Sequence, residues 1–425
     1  MIAAIPVARL FRTREEGGDR VAFVELFFDL VFVFAVTQLS HHVIEHLTPL
    51  GVLEGVVMLV AVWWLWIYTT WVTNWMNPQK GPVRWMLITM MLGGLVLSTA
   101  IPEAFGDRAA QFAIAYLVMQ VGRTVFVAIS YAVCDDRTNA MNLVRIALWF
   151  VLSAPFWIAG ALLGGEAQLP LWAAALAVEL LGPAFRYWMP RLGVSPPETW
   201  QVAGGHMAER AGLFMIIALG ESIIITGTLF SRSELTTPSV LAFLAAFVST
   251  ILFWLLYFSH GAEHGARFIQ ASRNTGIIAR LTYTYLHMVL VAGIVLVAVG
   301  DELVLAHPDD PIDGTTLVIV LAAPALYLLG NLLFKRSIGR PWLRSHLLGM
   351  AALTAMYLLA PLIPGLTALA VTWIANGVLA LVVLIDELVW PHEEEAVSDE
   401  EEAEFDLEGF DRRDAEEQGA SGVGQ

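Results

Sequence analysis

The apolar residues of this chain gather into twelve runs of about twenty residues separated by short polar stretches. A run of that length crosses the roughly 30 Å hydrocarbon core of a bilayer. The runs cover residues 21–44, 50–74, 83–101, 109–133, 142–164, 169–188, 206–229, 237–260, 276–299, 314–334, 343–361 and 365–390. Each must be helical, because lipid offers the backbone no hydrogen-bonding partners and the runs are too long and too continuously apolar for barrel strands. Breakers at Asn77-Pro78, Ile101-Pro102, Pro196-Pro197 and Pro308 to Pro311 fall between runs, where turns are needed. Only 15% of the residues are charged, against about a quarter in a soluble domain. The expected fold class is therefore an all-α integral membrane protein with about twelve transmembrane helices.

The basic residues orient the bundle. The N-terminal segment, alternate loops and the tail hold eighteen Lys and Arg, and the other set of loops holds only Arg108 and Arg232. That bias places both termini in the cytoplasm and requires an even number of spans. The net charge of −16 is mostly local, since residues 391–425 carry fourteen acidic residues against Arg412 and Arg413. That tail reads as a disordered, solubilising segment. One cysteine, Cys134, excludes an internal disulfide framework. The first twenty residues show no apolar core with a cleavage site, so the first span is expected to serve as its own insertion signal.

An internal repeat is visible at an offset of 199 residues. LGGLVLSTAIPEAF (92–105) aligns with VAGIVLVAVGDELV (291–304), setting Glu103 over Glu302 and Arg145 over Arg344. Glu25 and Glu209 likewise each open a phenylalanine-containing apolar stretch. A six-span repeat keeps both halves in the same orientation. The expected organisation is a cytoplasmic segment (1–20), a six-helix half (21–188), a cytoplasmic linker (189–205), a second half (206–390) and the acidic tail (391–425).

Charge within a bilayer costs at least about 2.5–3.5 kcal/mol per residue, so each such group needs a reason. Glu25 and Asp29 stand four apart on the first span, and Ser40, eleven beyond Asp29, returns to nearly the same face. Two ionised carboxylates one turn apart repel, which suits a proton-binding site; a cluster satisfied by an arginine or by backbone amides is the plain alternative. On the seventh span Arg210 and Glu221 share a face, and Glu221 lies near mid-membrane, where it must be protonated, paired or wet. Glu209, beside Arg210, reads as one half of a local ion pair. Arg123, in the middle of the fourth span, calls for a carboxylate partner, with Asp29 and Glu221 the natural candidates. Glu179 and His287 are further midplane polar groups; His287, flanked by Tyr283 and Tyr285, reads either as a proton relay or as a satisfied packing residue.

Two H-x-x-E-H pentamers, 42–46 and 260–264, carry histidines four apart, a spacing zinc can use. They fall at opposite ends of the bundle and so build no common site; wet helix ends are the expectation. Tryptophans crowd the second span at Trp63, Trp64, Trp66, Trp71 and Trp75. They are expected mainly as interface anchors and lipid-facing bulk, with an aromatic pocket as the alternative. No phosphate loop, dinucleotide glycine motif, CxxC or basic aromatic patch occurs. An ATP-driven pump, a soluble-type catalyst and a nucleic-acid partner are therefore not expected, and neither is a cofactor or a metal.

VAFVELFFDLVFVFAVTQLSHHV (21–43), HMAERAGLFMIIALGESIIITG (206–227) and YTYLHMVLVAGIVLVAVGDELV (283–304) together resemble the bacterial low temperature requirement protein A (LtrA) family, over roughly residues 15–390. The resemblance implies a bacterial multi-pass inner-membrane protein linked by name to growth in the cold, and no particular activity. A shorter likeness joins ELFFDLVFVFAVTQL to the opening helix of a potassium-channel family built from six-helix repeats. That family begins its pore helix with Phe-Ser-Asp, where this chain has Phe27-Phe28-Asp29. The functional expectation is a secondary transporter or permease for a small solute or ion, proton coupling included, in which Asp29 and Glu221 act with Arg123 as counter-charge. An ion channel lined by the first helix of each half is the alternative, and a membrane enzyme or a structural factor a further one.

Overall fold

The computed structural model describes residues 10–12, 20–259, 261–272 and 275–388. The expected tail and most of the N-terminal segment lie outside the described residues, as does His260 of the second pentamer. The helices are α1 (Phe23–Glu45), α2 (Pro49–Trp75), α3 (Gly81–Ser98), α4 (Ala109–Val133), α5 (Arg137–Leu163), α6 (Gly165–Leu181), α7 (Gly204–Arg232), α8 (Thr237–Phe258), α9 (Gly261–Ala271), α10 (Thr275–Ile278), α11 (His287–Ala306), α12 (Gly314–Ser337), α13 (Arg344–Leu359) and α14 (Ala368–Leu388). Among the described residues, eleven spans are long and apolar enough to cross a bilayer, and α6, at 17 residues, is the twelfth. The all-α membrane fold is thus as the hydropathy pattern requires. Two elements were not foreseen. Residues 261–271 form the separate helix α9, and a π-helical stretch, Ala279–Leu286, joins α10 to α11.

Local chemistry sets the boundaries. The Thr48 hydroxyl accepts from the Gly51 amide, Asp136 from Asn139 and Thr236 from Ser239, each satisfying an orphan donor at a helix start. Asp313 accepts from both Thr315 and Thr316, which holds its carboxyl below the usual range. Gly164 and Gly165, with φ of 60° and 54°, make the abrupt turn between α5 and α6 that a side chain would oppose.

The amphipathicity is inverted relative to a soluble bundle. On α1 the exposed face carries Phe23, Phe27, Leu30 and Phe34, while Glu25 and Asp29 are buried. On α4 the exposed face carries Ile114, Val118, Val125 and Ile129, while Gln120 and Arg123 are buried. Large apolar surface outside with charge inside is stable only where lipid is the solvent.

The helix α2 is deeply enclosed and touches α1, α4, α6, α7 and α11. Its tryptophans correct the expectation of lipid-facing anchors. Trp63, Trp64, Trp66 and Trp71 are all buried, and internal acceptors meet the indole N–H groups of Trp63, Trp66 and Trp71. The π-helical stretch supplies two of these acceptors, both on Thr284. Trp63 Nε1 donates to the Thr284 carbonyl at 2.7 Å, and Trp71 Nε1 to the Thr284 hydroxyl at 3.0 Å. Trp66 Nε1 donates to Asp29 at 2.8 Å.

In the second half α11 and α12 approach closely through glycine. A Cβ on Gly293 would lie 2.9 Å from Tyr327 Cβ and 3.0 Å from the Tyr327 backbone. Gly293→Val should therefore cost about 1–3 kcal/mol through overpacking and lower the melting temperature of the purified protein. Gly122→Ala, with nothing within 4 Å of the added methyl, should leave it unchanged; equal effects would refute this packing account.

Candidate functional site

At the end of the bundle where α1 and α7 begin, four ionisable side chains are fully enclosed: Glu25, Asp29, His206 and Arg210. The spacing that puts Glu25 and Asp29 on one face of α1 also puts His206 and Arg210 on one face of α7, so two i,i+4 pairs meet across the helix contact. Arg210 bridges the carboxylates. Its Nη1 donates to Glu25 Oε1 at 2.9 Å and its Nη2 to Asp29 Oδ1 at 2.5 Å. The guanidinium also stands 5.8 Å from the Trp66 ring centre.

A second arginine arrives from the N-terminal segment. The Asn77 amide donates to the Leu10 carbonyl and the Arg12 amide to the Trp75 carbonyl, pinning residues 10–12 against the end of α2. Phe11 stacks on Tyr131 with ring centres 4.3 Å apart. So held, Arg12 donates from Nε to the Thr73 carbonyl at 2.8 Å and from Nη2 to Glu25 Oε2 at 3.0 Å. Asn74 Nδ2 lies 3.2 Å from His206 Nδ1, which makes that nitrogen the acceptor and leaves Nε2 to donate to Glu25 at 3.0 Å. Two guanidiniums and two carboxylates sum to zero charge, the condition for burying them together.

The two carboxylates differ in one respect. Glu25 is saturated, accepting from Arg210, His206, Arg12 and the Ala22 amide. Asp29 uses Oδ1 for Arg210 and Trp66, while its Oδ2 is buried with no hydrogen-bond partner, as is Arg210 Nε. The open valences of the network therefore lie on the Asp29–Arg210 pair. Ser40 is not part of it, and returns its hydroxyl to the Val36 carbonyl.

Several expected pairings are replaced. Glu209 is exposed and accepts from the Val21 amide at 3.2 Å, because Arg210 points inward while its neighbour points outward. Arg123 meets no carboxylate among the described residues. It donates to the Leu65 carbonyl and the Thr69 hydroxyl, both at 3.0 Å, and to Gln120 Oε1. Gln120 in turn donates to the Tyr116 hydroxyl at 3.0 Å, and Tyr116 donates to Glu179 at 2.5 Å. Arg123 thus reaches an acid through two neutral side chains instead of directly. Glu179 also accepts from Ser153 and Trp157. Glu221, half-buried on α7, accepts from the Thr37 hydroxyl of α1. His287 is buried and satisfied, with Tyr257 at 2.7 Å from Nε2 and the Thr282 carbonyl at 2.8 Å from Nδ1.

The aromatic alternative for the second span is realised. Trp64, Tyr68, Trp71, Tyr187 and Trp200 wall a cavity of about 30 Å³ that Arg123 also lines. Of the first H-x-x-E-H pentamer, His42 lies 3.5 Å from Glu54 and stacks on His46, and no group of three metal-ligating side chains occurs among the described residues.

Four contributors went unread in the sequence. Arg12 counted only as a topological charge, and His206 was hidden in a helix start although its i,i+4 relation to Arg210 was available. The Lys335–Asp386 bridge, at 2.8 Å, ties α12 to α14. Asp301, buried on α11, sits in the segment VGDEL just past the end of the ninth apolar run at residue 299, while the helix itself continues to Ala306.

The chain is 40% identical over 380 residues to the Uncharacterized protein RA0937 of Rhizobium meliloti (strain 1021), covering 88% of this chain and 91% of that one. No solved structure matches. The family described as Bacterial low temperature requirement A protein (LtrA) matches residues 20–384, which takes in α1 through most of α14. On that extent of match the chain belongs to the LtrA family.

Proposed function

We propose that this LtrA-family protein is a secondary transporter of the bacterial inner membrane, with both termini in the cytoplasm, and that the Asp29–Arg210 pair is its proton-operated latch. The observation that carries the reading is the buried, neutral network joining α1 to α7 with an open valence on Asp29 Oδ2. A proton arriving at Oδ2 neutralises Asp29 and removes half of the charge that holds Arg210. Glu25, saturated by four donors, keeps the other half, so the contact loosens without coming apart. Glu221 and Thr37 form a second polar contact further along the same two helices. A shift of α1 against α7 would break both.

An organisation in two six-helix halves would suit alternating access. α1 lies against α2 and α3 as α7 lies against α8 and α11, and α4 packs on α5 as α12 packs on α13. On this reading α1 and α7 are the first helices of two like-oriented halves, and a solute path runs between them. The solute is a small molecule or ion; lipid is the other partner.

Two measurements test this. In proteoliposomes on a solid-supported membrane under a pH gradient, the wild type should give transient current, reduced at least tenfold in Asp29→Asn. Sustained current that does not saturate would replace the carrier by a channel, and equal currents from wild type and variant would refute the latch. Separately, Arg210→Met leaves two buried carboxylates short of their counter-charge and should destabilise by about 3–5 kcal/mol. The triple variant Glu25→Gln, Asp29→Asn, Arg210→Gln should recover part of that loss in thermal unfolding, because the burial of unpaired charge is relieved. No recovery would mean that the charges do not act as one unit.

A further inference from the structure

The second half holds a buried acid that the α1–α7 network does not use. Asp301 lies on α11 near the opposite end of the bundle, as the packing of Val299 beside Val43, late in α1, makes plain. It is 4% exposed, and its Oδ2 has no hydrogen-bond partner among the described residues. It borders a cavity of about 20 Å³, to which Ser249 of α8, Val320 and Pro324 of α12, and Thr372 and Asn376 of α14 contribute. That volume holds one water-sized particle.

The wall is rich in acceptors and poor in donors. Pro324 has no N–H, so the Val320 carbonyl, four residues earlier, lacks its helical donor. Thr372 gives its hydroxyl hydrogen to the Ala368 carbonyl at 3.0 Å, leaving its lone pairs free. Asn376 directs its Nδ2 to the Ala245 carbonyl at 2.8 Å, and its Oδ1 lies 2.7 Å from the Ser249 hydroxyl. None of the residues lining the cavity is basic. A lone carboxylate in such a place is expensive. A carboxylate, two hydroxyls, an amide oxygen and a helix carbonyl freed by proline are the ligand types that hard cations take within membranes. One negative charge matches one positive charge.

We propose that the Asp301 cavity binds a single monovalent hard cation, Na⁺. The site stands apart from the α1–α7 latch and does not rest on it. The Na⁺ is held by Asp301 as counter-charge, with Thr372, Ser249, Asn376 and the Val320 carbonyl as neutral oxygen ligands.

The test is equilibrium binding of ²²Na⁺ to the full-length protein in nanodiscs at fixed pH and ionic strength, with choline as the balancing cation. The wild type should bind one Na⁺ per chain, saturably. Asp301→Asn should weaken binding at least tenfold and Thr372→Val should weaken it measurably, while Glu103→Gln, an exposed carboxylate on a turn, should bind like the wild type. The melting temperature of the wild type should also rise when Na⁺ replaces choline, because a ligand bound only to the folded state stabilises it. Absence of saturable ²²Na⁺ binding by the wild type, or full binding by a folded Asp301→Asn, would overturn the proposal. Neither readout needs transport, so failure here leaves the latch standing, and failure of the latch leaves this site standing.

Discussion

Arg210 divides its two terminal nitrogens between Glu25 and Asp29, and the rest of the polar architecture accommodates that fork. A guanidinium at this depth needs acceptors in the plane of its nitrogens, and α1 supplies two carboxylates one helical turn apart. Two carboxylates so close need more than one positive charge, and Arg12 supplies the second. Reaching Glu25 from the N-terminal segment requires that segment to tuck under the end of α2, where Leu10 and Arg12 hydrogen-bond with Asn77 and Trp75. Asn74, Thr73 and Trp66 of α2 add further hydrogen bonds to His206, Arg210 and Asp29. Burial of one arginine accounts for the placement of a terminal segment, two helices and the polar face of a third.

Arg123 shows a second solution to the same problem. Its charge is not set against an acid but spread through Gln120 and Tyr116 to Glu179. In a low-dielectric interior such a chain polarises along its length, each bond strengthening the next. The arrangement keeps the guanidinium at the wall of the aromatic cavity, with its Nε unpartnered, where a directly paired arginine would have been drawn toward the acid on α6.

The two halves place their unmatched acids at opposite ends. In the first half the open valence is on Asp29, against a guanidinium. In the second it is on Asp301, against neutral oxygens alone. On the proposed readings, the acid beside arginine takes a proton and the acid among carbonyl and hydroxyl oxygens takes a bare cation. The chemistry of the two places therefore differs.

The number of spans, their helical nature and the burial of Glu25, Asp29, Arg123 and Arg210 were legible in the residues, because lipid forbids an unpaired backbone group and makes every internal charge conspicuous in an apolar run. The LtrA motifs were legible for the same reason. Pairing was not. Hydropathy shows that Arg123 and Glu221 are costly but carries no information on which helix stands beside which; Arg123 found Gln120 and Thr69 in place of an acid, and Glu221 found Thr37. The tryptophans of α2 were misread because composition cannot distinguish a headgroup from an internal acceptor; the π-helical stretch before α11 carries that acceptor, and a register change of this kind leaves no mark in apolar periodicity. Arg12, outside every span, and Asp301, inside one, acquire their roles only when distant segments are brought to them. The solvent, through the sequence, determined what each segment is, and contact among segments distant in the chain decided what each charge does.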